Sequence, residues 1–150
     1  MIYIGTKIIK AERGCDITGR TAGKDGYRLQ YEDGYISWSP KAVFEKAYRP
    51  IDGMNFGLAI EALKLGKKVS RKGWNGKGMF IYLTTGSIIP VINLKQETAK
   101  KLFGEHALLE CDATVNIQSH IDMKAADGSI IIGWLASQTD MLAEDWRIVG

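Results

Sequence analysis

Three prolines, two cysteines and two histidines in 150 residues leave several kinds of chemistry without their usual residues. Cys15 and Cys111 stand 96 positions apart, and neither belongs to a C-x-x-C or C-x-x-x-H spacing. Zinc and a redox pair are therefore poorly supported, and two reduced thiols are expected. His120-Ile121-Asp122 puts two ligand-type side chains on one face of a strand, but no third ligand is nominated, so a hydrogen-bonded structural histidine is the better reading. Hydrolysis at that pair is a lesser alternative. No H-E-x-x-H, nucleophile elbow or Ser/His/Asp grouping occurs, so we expect no catalytic residue, no metal and no cofactor. Long apolar runs are also missing: residues 79–83 and 130–132 fall far short of the roughly 20 that a bilayer crossing needs. Residues 1–7 carry neither a basic leader nor an apolar signal core, and the expectation is a cytoplasmic protein without membrane association.

What is present suits a folded chain. With 45% apolar residues, one domain, or a domain plus a small module, can close a core. The net charge of +3 is too small for a general nucleic-acid binder, so nucleic acid is not the expected partner. The placement of the charge says more. Residues 64–96 hold seven bases and no acid, whereas residues 97–150 hold nine acids and four bases. This makes a local cationic surface suited to a small anion.

Alternating β-branched and polar residues over 1–10, 27–31 and 35–38, with a turn at Asp33-Gly34, predict a small SH3-like β module over residues 1–50. Ser39 and Pro40 are expected to open a helix over Lys41–Ala47 as N-cap and first helical residue. Residues 49–53 break the pattern, and a second domain is expected over 53–150, an α+β fold with an antiparallel sheet and a packed helix. That helix is predicted over 56–65 from Phe56, Ala59, Ile60 and Leu63, with Asn55 as N-cap and Gly66 past its end. A strand over 79–84, a helix over 94–103 opened by Asn93, a strand within 115–118, a hairpin turning at Asp127-Gly128 and a last strand Trp146–Val149 complete the prediction.

Two segments could carry binding. In Arg71-Lys72-Gly73-Trp74-Asn75-Gly76-Lys77-Gly78-Met79 the glycines let the backbone approach a ligand, and Arg71, Lys72 and Lys77 offer donors to phosphate oxygens. The spacing is neither a Walker loop nor a dinucleotide fingerprint; taken alone it also reads as a glycine-rich hairpin with solvated lysines. In Trp134-Leu135-Ala136-Ser137-Gln138-Thr139-Asp140-Met141 the S-x-x-D pattern predicts a capping box and a short helix. Its functional reading is that Ser137, Gln138 and Asp140 line a pocket with Trp74 or Trp134 as an aromatic platform. Stacking worth roughly 1 to 3 kcal/mol per base and charged hydrogen bonds worth roughly 1.5 to 3 each would suffice for tight nucleotide binding.

These two motifs, with Met54-Asn55-Phe56-Gly57 before them, occur in the order found in the second Thoeris anti-defence family of phage proteins, which residues 53–150 resemble. The resemblance implies a non-enzymatic sponge, a homo-oligomer and typically a tetramer, that sequesters glycocyclic ADP-ribose signals. It also implies that some members hold cyclic dinucleotides at separate sites. Trp74 and Asn75 match one family motif and Ser137, Asp140 and Met141 the other, so both are expected to border the pocket. The candidate ligand-binding set is Arg71, Lys72, Trp74, Asn75, Lys77, Met79, Trp134, Ser137, Gln138, Asp140 and Met141. A nucleic-acid-binding phage accessory protein and a toxin of a toxin-antitoxin system are the alternatives. Residues 84–133 form a longer middle than compact members have, and residues 1–50 lie outside the resemblance.

Overall fold

A computed structural model describes residues 1, 6–15, 23–106 and 112–150, and of Cys15 the backbone alone. The cysteine reading at Cys111 lies outside the described residues. The protein is α+β, with antiparallel sheets and, among the described residues, four α-helices.

In the first fifty residues, β1 (Lys10–Cys15), β2 (Asp25–Gln30) and β3 (Ile36–Pro40) form a three-stranded meander, and α1 (Lys41–Ala47) packs on it. Of the predicted first strand over 1–10, residues 2–5 lie outside the described residues; among the described ones, 6–9 are not in a strand and pairing begins at Lys10, opposite Gln30. Ser39 is not the cap of α1, because its backbone is still in the ladder opposite Tyr27, and Pro40 takes the N-cap position. Leu29 is buried, while Tyr27, Phe44 and Tyr48 stack in sequence at 4.0 and 4.9 Å between ring centroids. Gly26 is required where it stands, since any side chain would run into the Trp38 indole and the Ser39 carbonyl.

The second sheet has the order β10-β4-β5-β8-β9, from Trp146–Val149, Lys68–Arg71, Phe80–Thr84, His120–Lys124 and Ile130–Ile131. Helix α2 (Phe56–Lys64) covers one face. It starts where predicted: the Asn55 side chain accepts the Leu58 N–H at 2.9 Å, and Gly66 adopts a φ of +74° just past the end. Ala59, Ala62 and Leu63 seat on Val69, Ile81, Met123 and Trp146, all buried. Each large apolar side chain sealed there contributes about 1.5 to 3 kcal/mol. Side chains alternate across a strand, so the register that turns Val69, Ile81 and Met123 to α2 turns Lys68, Phe80, Lys124 and Arg147 to the opposite face.

Between β5 and β8 the chain makes an excursion: β6 (Ser87–Pro90) pairs with β7 (Thr114–Ile117), and a 3-10 turn (Val91–Asn93) leads to α3 (Gln96–Phe103). Asn93 does not open α3. It lies inside the 3-10 turn, and Lys95 is the N-cap. The hairpin after Asp127-Gly128 is also shorter than predicted, because Gly133, with a φ of +75°, ends β9 and lets the Trp134 N–H reach the Ile121 carbonyl at 2.7 Å. Helix α4 (Gln138–Met141) carries the predicted capping box between Ser137 and Asp140. No helix among the described residues is long and apolar enough to cross a membrane.

Candidate functional site

Arg71 ends β4 and Trp146 begins β10 directly opposite it. That register brings the glycine-rich bend after β4 against the closing segment before β10. The Arg71 guanidinium donates from Nε to Asp145 at 2.8 Å and from Nη1 to Asp140 at 2.9 Å, with its side chain only 13% exposed. Asp140 Oδ1 also accepts the Trp74 indole N–H at 3.0 Å, while its Oδ2 accepts the Ser137 hydroxyl at 2.7 Å and the Ser137 backbone N–H at 3.1 Å. The Asp140 carbonyl takes the indole N–H of buried Trp146 at 3.0 Å. Asp145 reaches across to the bend as well, accepting the Gly73 N–H at 2.7 Å.

Burial alone would raise the Asp140 carboxyl. Hydrogen bonds from Ser137, Arg71 and Trp74 outweigh it and lower the group from 3.8 to about 2. The Arg71 hydrogen bond likewise lowers Asp145. Because the folded-state value of Asp140 lies below its unfolded one, the stability it supplies is fully present above about pH 4 and drains away as the pH falls through about 2. For Asp140 this amounts to about 2 kcal/mol. Melting curves followed by tryptophan fluorescence at neutral pH, about pH 4 and about pH 2.5 should show the midpoint dropping mainly over the last step; an even decline from neutrality would contradict it.

Trp74, Trp134 and Trp146 form an edge-to-face cluster with centroids 5.4 to 6.2 Å apart. Trp74 is half-buried, with its indole nitrogen engaged, so it is held rigidly at the border of the core instead of standing free as a platform. On the far side of the bend a groove of about 320 Å³ opens, lined by Arg71, Lys72, Trp74, Asn75, Lys77 and Met79 of the predicted set. Phe80 and Arg147 also line it, and sequence reasoning missed both. Arg147 had a signal available: Trp146 and Ile148 point inward, so the residue between them points outward. Phe80 collects two cations over its ring, Lys68 at 5.1 Å and Lys124 at 5.9 Å. At Gly76 a side chain would meet the Met79 sulfur and the Ala126 methyl, so the groove wall depends on glycine there.

The rest of the predicted set is placed differently. Trp134, Ser137, Gln138, Asp140 and Met141 do not line this groove. Ser137 and Asp140 hold the bend from behind, Trp134 packs against Trp74, and Gln138 and Met141 are exposed on α4. Arg71 touches the groove, but two carboxylates balance its charge. Among the described residues no carboxylate pairs with Lys77 or Arg147, and Lys72 reaches Asp52 only at 3.5 Å between exposed ends. These are the cations left for an anion. At the other candidate pair, buried Asp122 accepts from the Thr84 hydroxyl at 2.5 Å and the Gly133 N–H at 3.0 Å, and His120 Nε2 lies 3.5 Å from it. Asp122 thus fastens the turn that leads to Trp134. Among the described residues, no group of three or more His, Cys, Asp or Glu is arranged to hold a metal ion.

Residues 54–149 match the family model described as Tad2-like, a Thoeris anti-defense 2-like domain. The chain is 41% identical over 96 residues to a protein of Bacillus phage SP01 named Thoeris anti-defense 2, a span that is 64% of this chain and 94% of the phage protein. The match includes the middle segment with β6, α3 and β7, and it leaves the N-terminal meander outside.

Proposed function

The chain belongs to the Thoeris anti-defense 2-like family, and from that premise we propose that it counters Thoeris defence by binding a glycocyclic ADP-ribose-type signal and holding it uncleaved. The supporting observation is the groove between the bend and β10, where Lys72, Lys77 and Arg147 face the same space beside Trp74, with Gly76 and Gly78 lining it. A diphosphate would have its negative charge neutralised by these cations and would take backbone contacts from the glycine-rich wall.

The groove sits at the small end of the roughly 300 to 1,000 Å³ typical of ligand sites, and it is open. A second copy would enclose it. Ile130, Ile132, Leu135 and Leu142 are all more than half exposed around β9 and α4, which supports a homo-oligomer, a tetramer in this reading, acting in the cytoplasm of the bacterial host.

Calorimetric titration with glycocyclic ADP-ribose isomers should give heat with one of them, and heat denaturation should release it intact. Folded protein silent to every isomer overturns the reading, and recovery of a cleaved product overturns the sponge. Lys77→Ala and Arg147→Ala should each weaken binding roughly ten-fold or more while melting stays near wild type, since both side chains are solvated in the free protein. A cyclic dinucleotide titrated in the same way tests the separate site that the family resemblance implies.

A further inference from the structure

A second, larger cleft of about 1700 Å³ lies between the N-terminal meander and the family domain. Its walls carry Lys7 and Lys10 on one side and Lys67 and Lys68 on the other. Tyr31 and Tyr35 stand in it as a stacked pair, with ring centroids 5.7 Å apart, and Tyr35 is 64% exposed. Lys7 sits over the Tyr31 ring at 4.1 Å. Among the described residues lining the cleft, the side-chain carboxylates are Glu32 and Asp33 at the hairpin tip, and Asp33 is turned to its own backbone, accepting the Tyr35 N–H at 3.0 Å. None of the four lysines pairs with a carboxylate among the described residues, whereas nearby Lys64 is bound to Glu61 at 2.7 Å.

The cleft is wider than the roughly 300 to 1,000 Å³ of a small-molecule site, which points to a segment of a polymer. It also continues beyond itself. Val149 lines both the cleft and the smaller groove, and Lys68 reaches from the cleft to the Phe80 ring. The outcome is a track of cations interleaved with aromatic rings, Tyr35 and Tyr31 at one end and Phe80 at the other. A backbone bearing regular negative charge, with flat bases between the charges, matches that alternation. An acidic peptide would use the lysines and leave the stacked tyrosines idle.

We propose that the cleft between the N-terminal meander and the family domain binds single-stranded nucleic acid, with Lys7, Lys10, Lys67 and Lys68 on its phosphates and Tyr35 stacking on a base. This gives the meander a role that the signal-binding groove does not require. The overall charge of +3 does not oppose it, because the contact is local.

The test is fluorescence anisotropy of the full chain with a labelled oligothymidylate of about twenty nucleotides at about 50 mM salt. Four phosphates neutralised on a single strand give a slope of about −3 in the logarithm of affinity against the logarithm of salt, so binding should weaken about fifty-fold by about 200 mM. Lys7→Glu with Lys10→Glu should abolish binding under the second condition, and Tyr35→Ala should lower affinity about ten-fold at either. Neither change touches the smaller groove, so titration with the glycocyclic ligand should be unaltered. That separates failure of this inference from failure of the proposed function. No binding at the lower salt, binding indifferent to the lysine reversals, or equal binding of a polyglutamate peptide would each overturn the assignment.

Discussion

Asp140→Asn should cost the fold about 3 kcal/mol or more, measured by urea unfolding, although the side chain changes by a single atom. The carboxylate, 12% exposed, gathers a guanidinium, an indole N–H, a hydroxyl and a backbone N–H. An amide can replace one acceptor oxygen, but its NH₂ must face either the Arg71–Trp74 donors or the Ser137 donors. Breaking one side of a buried pair typically costs roughly 3 to 5 kcal/mol, because the partner charge stays behind. Asp145 still holds Arg71, which keeps the expected loss at the lower end of that range. Ligand affinity should fall as well, since the bend is held in place through Arg71 and Trp74. Combining Asp140→Asn with Arg71→Ala should cost less than the sum of the two single losses. Strict additivity would show that the contact carries little energy.

Trp74→Ala is the second large effect expected, about 3 kcal/mol of stability, at the low end for tryptophan truncation because the ring is half-buried. The ring supports two other tryptophans and donates to Asp140, so its loss should loosen the C-terminal segment along with the groove. Trp74→Phe discriminates between roles. It keeps much of the packing and deletes the indole N–H, so affinity should drop further than melting if the groove is the binding site. Melting that falls alone would assign Trp74 to the core.

Much of this arrangement was legible in the sequence for local reasons. The α2 cap at Asn55, the capping box at Ser137 and Asp140 and the turn at Asp127-Gly128 each depend on residues within four positions, and each appears where the pattern put it. The bend was recognisable from its glycines and cations. What stayed hidden depends on register. Nothing in the string says that Arg71 lies opposite Trp146, and that pairing hands the arginine to Asp140 and Asp145 and removes it from the cations available to phosphate. Strand pairing likewise brings Arg147 to the groove and Lys124 over the Phe80 ring from far along the chain. The misplaced starts at Ser39 and Asn93 share one cause: a residue suited to capping was absorbed by a neighbouring ladder in one case and by a 3-10 turn in the other. Propensity cannot rank those competitors without the tertiary contacts.

Met54 and Trp146 exchange both backbone hydrogen bonds, at 2.8 and 3.1 Å, near the two ends of the segment that matches the family. The polypeptide therefore enters and leaves this unit side by side, as at the clasp of a closed loop. A unit of that kind is a cassette: it can be spliced into another protein, or have its leading appendage exchanged, without rethreading the sheet.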